Sequence, residues 1–135
     1  MVFRLDPALS KDSLPVARQN IFQVRLMNDE RFFWILIIPE ISGATELHEL
    51  TPDTVGEMMQ LAGALGHMLK LETAATKINI ATIGNVVAQF HLHVVARTKS
   101  DDSWPAPVWG NGIPVPLSSH EMDRRILLLR NFLQM

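Results

Sequence analysis

The row Gln89-Phe90-His91-Leu92-His93-Val94-Val95, followed by Ala96 and Arg97, holds the residues best suited to chemistry in this chain. Apolar and polar side chains alternate from Gln89 to Val94, the two-residue period of a half-buried strand. The pattern sends Phe90, Leu92 and Val94 to one face. Gln89, His91, His93 and Arg97 go to the other, with Val95 among them. Two imidazoles and a guanidinium in one row suit an anionic ligand. Three readings fit. The row can be a polar sheet face in water. It can be a metal site, since His at i and i+2 of a strand can share an ion; such a site needs a third ligand, and the strand offers no Cys or carboxylate. Or it can serve phosphate chemistry, with a neutral His as nucleophile or base, a second His as hydrogen-bond donor and Arg to neutralise charge.

Composition narrows the partners. The 135 residues suffice for one domain with a single core. A 47% hydrophobic share against 19% charged reads as globular. The net charge is −2 and the twelve Lys and Arg form no long run, which argues against a nucleic-acid polymer as partner. The absence of Cys excludes a disulfide framework, a thiolate nucleophile and a thiolate zinc site, and is compatible with a cytoplasmic address. Met1 to Pro7 lacks the apolar stretch of a signal peptide. The longest apolar run, Phe32 to Ile38, is too short to span a bilayer, so no membrane is expected as partner.

The elements that must carry the row follow from periodicity. Residues 1–18, with Pro7, Pro15 and mixed charge, read as irregular. Asn20 to Met27 alternates, with Phe22, Val24 and Leu26 inward, and reads as a strand. Asn28 to Arg31 is a turn. Phe32 to Ile38 is a strand covered on both faces, ended by Pro39 and forming a hairpin with its predecessor. After a short segment from Glu46 to Leu50, Thr51 is a good N-cap with Pro52 at the first helical position. Val55, Met58, Met59, Ala62, Leu65 and Leu69 form one apolar stripe of that helix. Gly63 and Gly66 weaken it but permit close approach of a neighbour. His67 lies off the stripe and reads as exposed or at a subunit contact.

Lys77 to Ala81 reads as a third strand, and Val86 to Val95 as the fourth, with a tight connection around Gly84. Residues 98–117 hold four prolines, Gly110 and Gly112, and read as a rigid functional loop. Its Trp104 and Trp109 are expected to pin it to the body more than to touch a ligand. Ser118-x-x-Glu121 opens a last helix as a capping box. Its apolar set, Ile126 to Leu129 with Phe132 and Leu133, covers more than one face. That implies deep burial or a second subunit, and together with the stripe of the long helix it suits a homodimer. The order of elements predicts an α+β domain with a mainly antiparallel sheet.

The row also resembles the signature of the histidine-triad (HIT) superfamily, His-φ-His-φ-His-φ-φ with φ apolar. Its polar slots are Gln89, His91 and His93, with Arg97 at the family's offset. Gly84-Asn85-Val86-Val87 stands where the family has Gly-Gln-Ser/Thr-Val, and Ile78-Asn79-Ile80 resembles a strand carrying a substrate-facing Asn. The resemblance runs from about Asn20 to Arg97. Trp104 to Gly110 further resembles a bacterial branch with Trp-Pro-x-Pro-Val-Trp-Gly after the triad. Two departures stand out: Gln89 replaces the first His, and Val86 replaces a small hydroxyl residue.

The resemblance implies an antiparallel meander with one main helix and a C-terminal helix, usually dimerised. It implies a hydrolase or transferase acting on a nucleoside phosphoramidate or a dinucleoside polyphosphate. His91 would be the nucleophile. His93, about 7 Å further along the strand, would hydrogen-bond a phosphate oxygen, and Gln89 would donate nearby without shuttling a proton. Asn28, Asn79, Asn85 and Arg97 become candidate ligand contacts. Asn28 also reads as a turn former, Asn79 as a strand-end cap, and Arg97 as a partner of Asp101 or Asp102. A small nucleotide is the implied partner, and no cofactor or metal is called for. A nucleotide-binding protein with weak or no catalysis is the alternative, motivated by Gln89 and Val86.

Overall fold

The computed structural model describes residues 2–134. Its strands are β1 (Ser13–Gln19), β2 (Phe22–Met27), β3 (Trp34–Pro39), β4 (Lys77–Ala81) and β5 (Leu92–Arg97), and its α-helices are α1 (Pro7–Asp12), α2 (Pro52–Thr73) and α3 (Ser119–Leu133). The strands form one sheet in the order β1-β2-β3-β5-β4. All four pairings are antiparallel, so the fold is α+β as the sequence predicts. No helix is long and apolar enough to cross a membrane among the described residues.

The β2–β3 hairpin forms around the Asn28–Arg31 turn, with Phe22 opposite Pro39. Every residue of β3 is buried, because both of its faces are covered. Ile35 and Ile37 join the main core with Met58, Ala62, Leu65 and Leu69 of α2. Trp34, Leu36 and Ile38 face a second cluster with Leu9, Val95 and Val108.

Helix α2 starts as its sequence dictates, with the Thr51 hydroxyl accepting from Thr54 N and Pro52 at the first position. Its stripe needs one correction: Met59 is exposed. Of the two glycines only Gly66 permits a close approach, since a Cβ there would lie 3.1 Å from Ile78 Cγ2 while one at Gly63 would meet nothing within 4 Å. His67 is exposed.

Three regions differ from the sequence reading. Residues 1–18 are not irregular: Asp6 caps α1 by accepting from Ala8 N, and Ser13–Gln19 adds an edge strand. Pro15 hides that strand from a propensity reading. It is tolerated because β1 is at the sheet edge and its register shifts between Pro15 and Ala17, a place where a missing N–H costs little. The His-bearing strand begins at Leu92, not Val86. Continuing its register with β3 would set Phe90 opposite Pro39, which has no N–H to give, and Phe90 N donates instead to Ala44 O at 2.9 Å. In α3 the Ser118 hydroxyl accepts from Glu121 N, but the Glu121 carboxylate turns to Arg124 and Arg125. Leu129 is buried, Leu127 is exposed, and Ile126, Leu128, Phe132 and Leu133 pack on the chain's own core.

Candidate functional site

The alternation of the His row holds, and its polar side is not a solvated face. Phe90, Leu92 and Val94 enter the main core. On the other side His91, His93 and Arg97 are only 6%, 4% and 1% exposed. The two imidazoles sit edge to face with centroids 4.9 Å apart. His93 is roofed by the loop after β5: the Trp109 ring lies 5.2 Å from His93 and 6.2 Å from Trp34, both edge to face.

Each imidazole has its Nδ1 engaged, and the partners fix the protons. His91 Nδ1 lies 2.7 Å from the Gln89 carbonyl oxygen. A carbonyl only accepts, so Nδ1 carries the hydrogen and neutral His91 has its lone pair at Nε2. Trp34 Nε1 donates to His93 Nδ1 at 3.0 Å within the protein interior. An indole N–H only donates, so neutral His93 carries its proton on Nε2. Burial, and secondarily the neighbouring His91, lowers the His93 pKa to about 3, which keeps this imidazole neutral near pH 7. The site therefore pairs a nitrogen lone pair on His91 with an N–H donor on His93.

Both histidines line a cavity of about 380 Å³ whose walls include Asp12, Trp34, Asn85, Val86 and Trp109. A second cavity of about 510 Å³ adjoins it and contains Asn28, Asp29 and Arg31. The two share Asp12, Met27, Trp34 and Gly110, so one cleft runs from the imidazoles to the β2–β3 turn. Within this cleft Asn28 Oδ1 accepts from Leu117 N at 2.8 Å, tying the returning loop to the turn. The Trp109 Nε1–H is buried with no hydrogen-bond partner among the described residues. No group of three His, Asp or Glu side chains that could hold a metal ion occurs among the described residues.

The other sequence candidates lie elsewhere. The Gln89 side chain turns toward the N-terminal segment: its Oε1 accepts from Asp6 N and its Nε2 donates to Arg4 O, both at 2.8 Å. Asn79 and Arg97 line neither cavity. They are bonded to each other, Arg97 Nη1 donating to Asn79 Oδ1 at 2.8 Å. Arg97 also donates from Nε and Nη2 to the Asp101 carboxylate at 2.8 and 3.1 Å and from Nη2 to Ala106 O. Its guanidinium thus anchors the loop that carries Trp109.

Sequence reasoning missed Trp34 and Asp12. Trp34 is one apolar residue in a run buried on both faces, and only strand pairing shows that it reaches His93. Asp12 needed α1, which residues 1–18 did not announce.

No curated protein matches the chain in sequence. The HIT domain family model matches residues 12–100. Among solved structures, a histidine triad protein from Sinorhizobium meliloti 1021 is 36% identical over 96% of each chain, with a TM-score of 0.92. One from Marinobacter aquaeolei VT8 is 30% identical, covering 99% of this chain and 98% of that one, with a TM-score of 0.95. A histidine triad protein from Bradyrhizobium japonicum is 29% identical over 98% of this chain and 99% of its own, with a TM-score of 0.94. The cleft, the imidazole pair and these likenesses agree: the chain belongs to the HIT-domain family, a superfamily of nucleotide-binding hydrolases and transferases.

Proposed function

We propose that this protein is a nucleotidyl hydrolase or transferase that cleaves a nucleoside phosphoramidate, a dinucleoside polyphosphate or a related compound through a nucleotidyl-histidine. The observation that carries the reading is the tautomer pair: His91 with its Nε2 lone pair free, beside the His93 Nε2–H donor, in one cavity. His91 Nε2 attacks the α-phosphorus, a phosphorus–nitrogen bond forms, and the bond to the leaving group breaks with its electron pair. The leaving group takes a proton from solvent. Water then attacks the same phosphorus and gives up a proton to solvent, the bond to Nε2 breaks with its electron pair returning to the imidazole, and nucleoside monophosphate leaves. Throughout, the His93 Nε2–H donates to a non-bridging oxygen where negative charge develops. Asn85 beside the imidazoles and Asn28 further along the cleft are the ligand contacts in this reading, and Gln89, Asn79 and Arg97 hold the surrounding structure.

The test is release of AMP from adenosine phosphoramidate and diadenosine tetraphosphate, with chelator present, for wild type and His91→Ala. The expected result is turnover by wild type and a loss of at least about 10²-fold in the variant, the scale of a catalytic group. A second reading, a nucleotide-binding protein with weak or no catalysis, is favoured by Gln89, whose side chain is occupied by Arg4 and Asp6. AMP binding without release of product from either compound supports that second reading.

A further inference from the structure

The imidazole of His93 is held by a residue that chemistry alone would not have singled out. Trp34 opens β3 and pairs with Val95, while His93 pairs with Leu36. Trp34 and His93 are therefore diagonal neighbours on one face of adjacent strands, within reach of large side chains. Their 3.0 Å Nε1–H···Nδ1 hydrogen bond is buried at both ends, Trp34 being 6% and His93 4% exposed. The indole is itself fixed, with Phe32 edge-on at 6.3 Å and Trp109 edge-on at 6.2 Å.

We propose that Trp34 is a positioning residue that locks His93 as the neutral Nε2–H tautomer, making it a fixed hydrogen-bond donor to the ligand and not a proton shuttle. A shuttling imidazole takes a proton at one nitrogen and passes it on from the other. Here the second nitrogen faces an indole N–H that only donates: its nitrogen has no lone pair available to accept a proton, so it cannot relay one near neutral pH. Protonating His93 at Nδ1 would set N–H against N–H. The other ionisable groups facing it are few. His91 lies edge to face with it, and Asp12 at the end of α1 lines the same cavity. The 83–87 segment and the Trp109 loop bring no charged side chain to that wall. A carboxylate at Asp12 is the one group of these that favours the imidazolium; burial and, secondarily, His91 oppose it, as does the indole donor. The catalytic consequence rests on the proposed function, whereas the tautomer does not.

The test begins without any nucleotide. In ¹⁵N-labelled protein, long-range ¹H–¹⁵N correlations report which ring nitrogen of each His carries the proton. Between about pH 5 and 8, where an ordinary His changes charge, His93 is expected to stay neutral with its proton on Nε2. Trp34→Phe keeps an aromatic ring and removes the donor; His93 is then expected to populate the Nδ1–H form and to titrate inside that range. Trp109→Phe preserves the Trp34 bond and is expected to leave His93 unchanged. A wild-type His93 protonated on Nδ1, or one that titrates in that range, overturns the proposal, and so does a Trp34→Phe protein whose His93 behaves as in wild type. The wild-type spectrum can overturn the proposal even if Trp34→Phe does not fold.

In turnover, Trp34→Phe is expected to lower kcat about tenfold with KM little changed and to move the acid limb toward neutral pH. That is milder than the roughly 10²–10³-fold loss when a transition-state donor is removed outright. A Trp34→Phe enzyme with the wild-type kcat and pH profile counts against the proposal. A wild type that turns over nothing counts against the proposed function, and the tautomer of His93 then decides the role of Trp34 by itself.

Discussion

Arg97 shows how a residue suited to binding an anion can be consumed by the fold. It is 1% exposed, and its charge is met by Asp101, whose side chain is 6% exposed. The Asp101 carboxylate also accepts from Thr98 N, Ser103 N and Trp104 N. Burial works against ionising Asp101, but the Arg97 guanidinium and these backbone donors outweigh it and hold the carboxyl below its usual range. A carboxyl lowered in the folded state stabilises the fold above its ordinary pKa, and that contribution is lost as pH falls through the folded value. Arg97→Met leaves the buried carboxylate unpaired and is expected to cost about 3–5 kcal/mol in urea unfolding near pH 7. A cost below about 1 kcal/mol would show that the pair does not hold the loop. His93 adds to acid sensitivity with the same sign. Its folded pKa of about 3 lies below the ordinary 6.5, so the unfolded chain binds the extra proton and stability falls as pH drops from 6.5 toward 3.

Helix α2 separates the two uses of glycine. Gly63→Ala adds a methyl into open space and gains helix propensity, an expected stabilisation of up to about 1 kcal/mol in thermal unfolding. Gly66→Ala must push a Cβ against Ile78 Cγ2 at 3.1 Å, so the same gain is offset or reversed by overpacking. Equal effects at the two positions would contradict this packing. At this scale much was legible in the sequence. Thr51-Pro52 marks the start of α2, the Lys77–Ala81 strand has the bounds its pattern predicts, and alternation from Gln89 to Val94 assigns the two faces of the His row. What was hidden has physical causes. Pro15 disguised an edge strand that tolerates it, and Pro39 keeps the β3–β5 ladder from reaching back to Phe90 and beyond, where alternation had extended the strand. Alternation tells which face a side chain takes but not what covers that face. So the burial of His91, His93 and Arg97 could not be read from the row, nor could the bonds that draw Gln89 to Arg4 and Asp6.

Across the whole molecule, segments distant in sequence meet to enclose the cleft. Leu9 and Asp12 come from the N-terminal segment, Asn85 to Val87 from the β4–β5 connection, and Trp109 and Gly110 from the long loop. Gln89 ties the first of these to the His row across 83 residues through Asp6 N. Phe3 and Leu5 of the same segment pack on the cluster that contains Trp34. Gln89→Ala removes both amide bonds but leaves the Gln89 carbonyl that orients His91. It is therefore expected to speed hydrogen exchange at the Asp6 amide at least about tenfold, the equivalent of roughly 1.4 kcal/mol of lost protection, while the His91 tautomer persists. An unchanged exchange rate would mean that apolar packing alone holds the segment.

The proposed mechanism stands or falls on a covalent bond between His91 and the ligand. Quenching wild type with alkaline denaturant during turnover of adenosine phosphoramidate, since a phosphorus–nitrogen bond to imidazole is lost in acid, and mapping peptides by mass at neutral to alkaline pH tests it most directly. One adenylyl group is expected on the peptide containing His91, absent from His91→Ala. An adduct on another residue, or undiminished AMP release by His91→Ala, would contradict it.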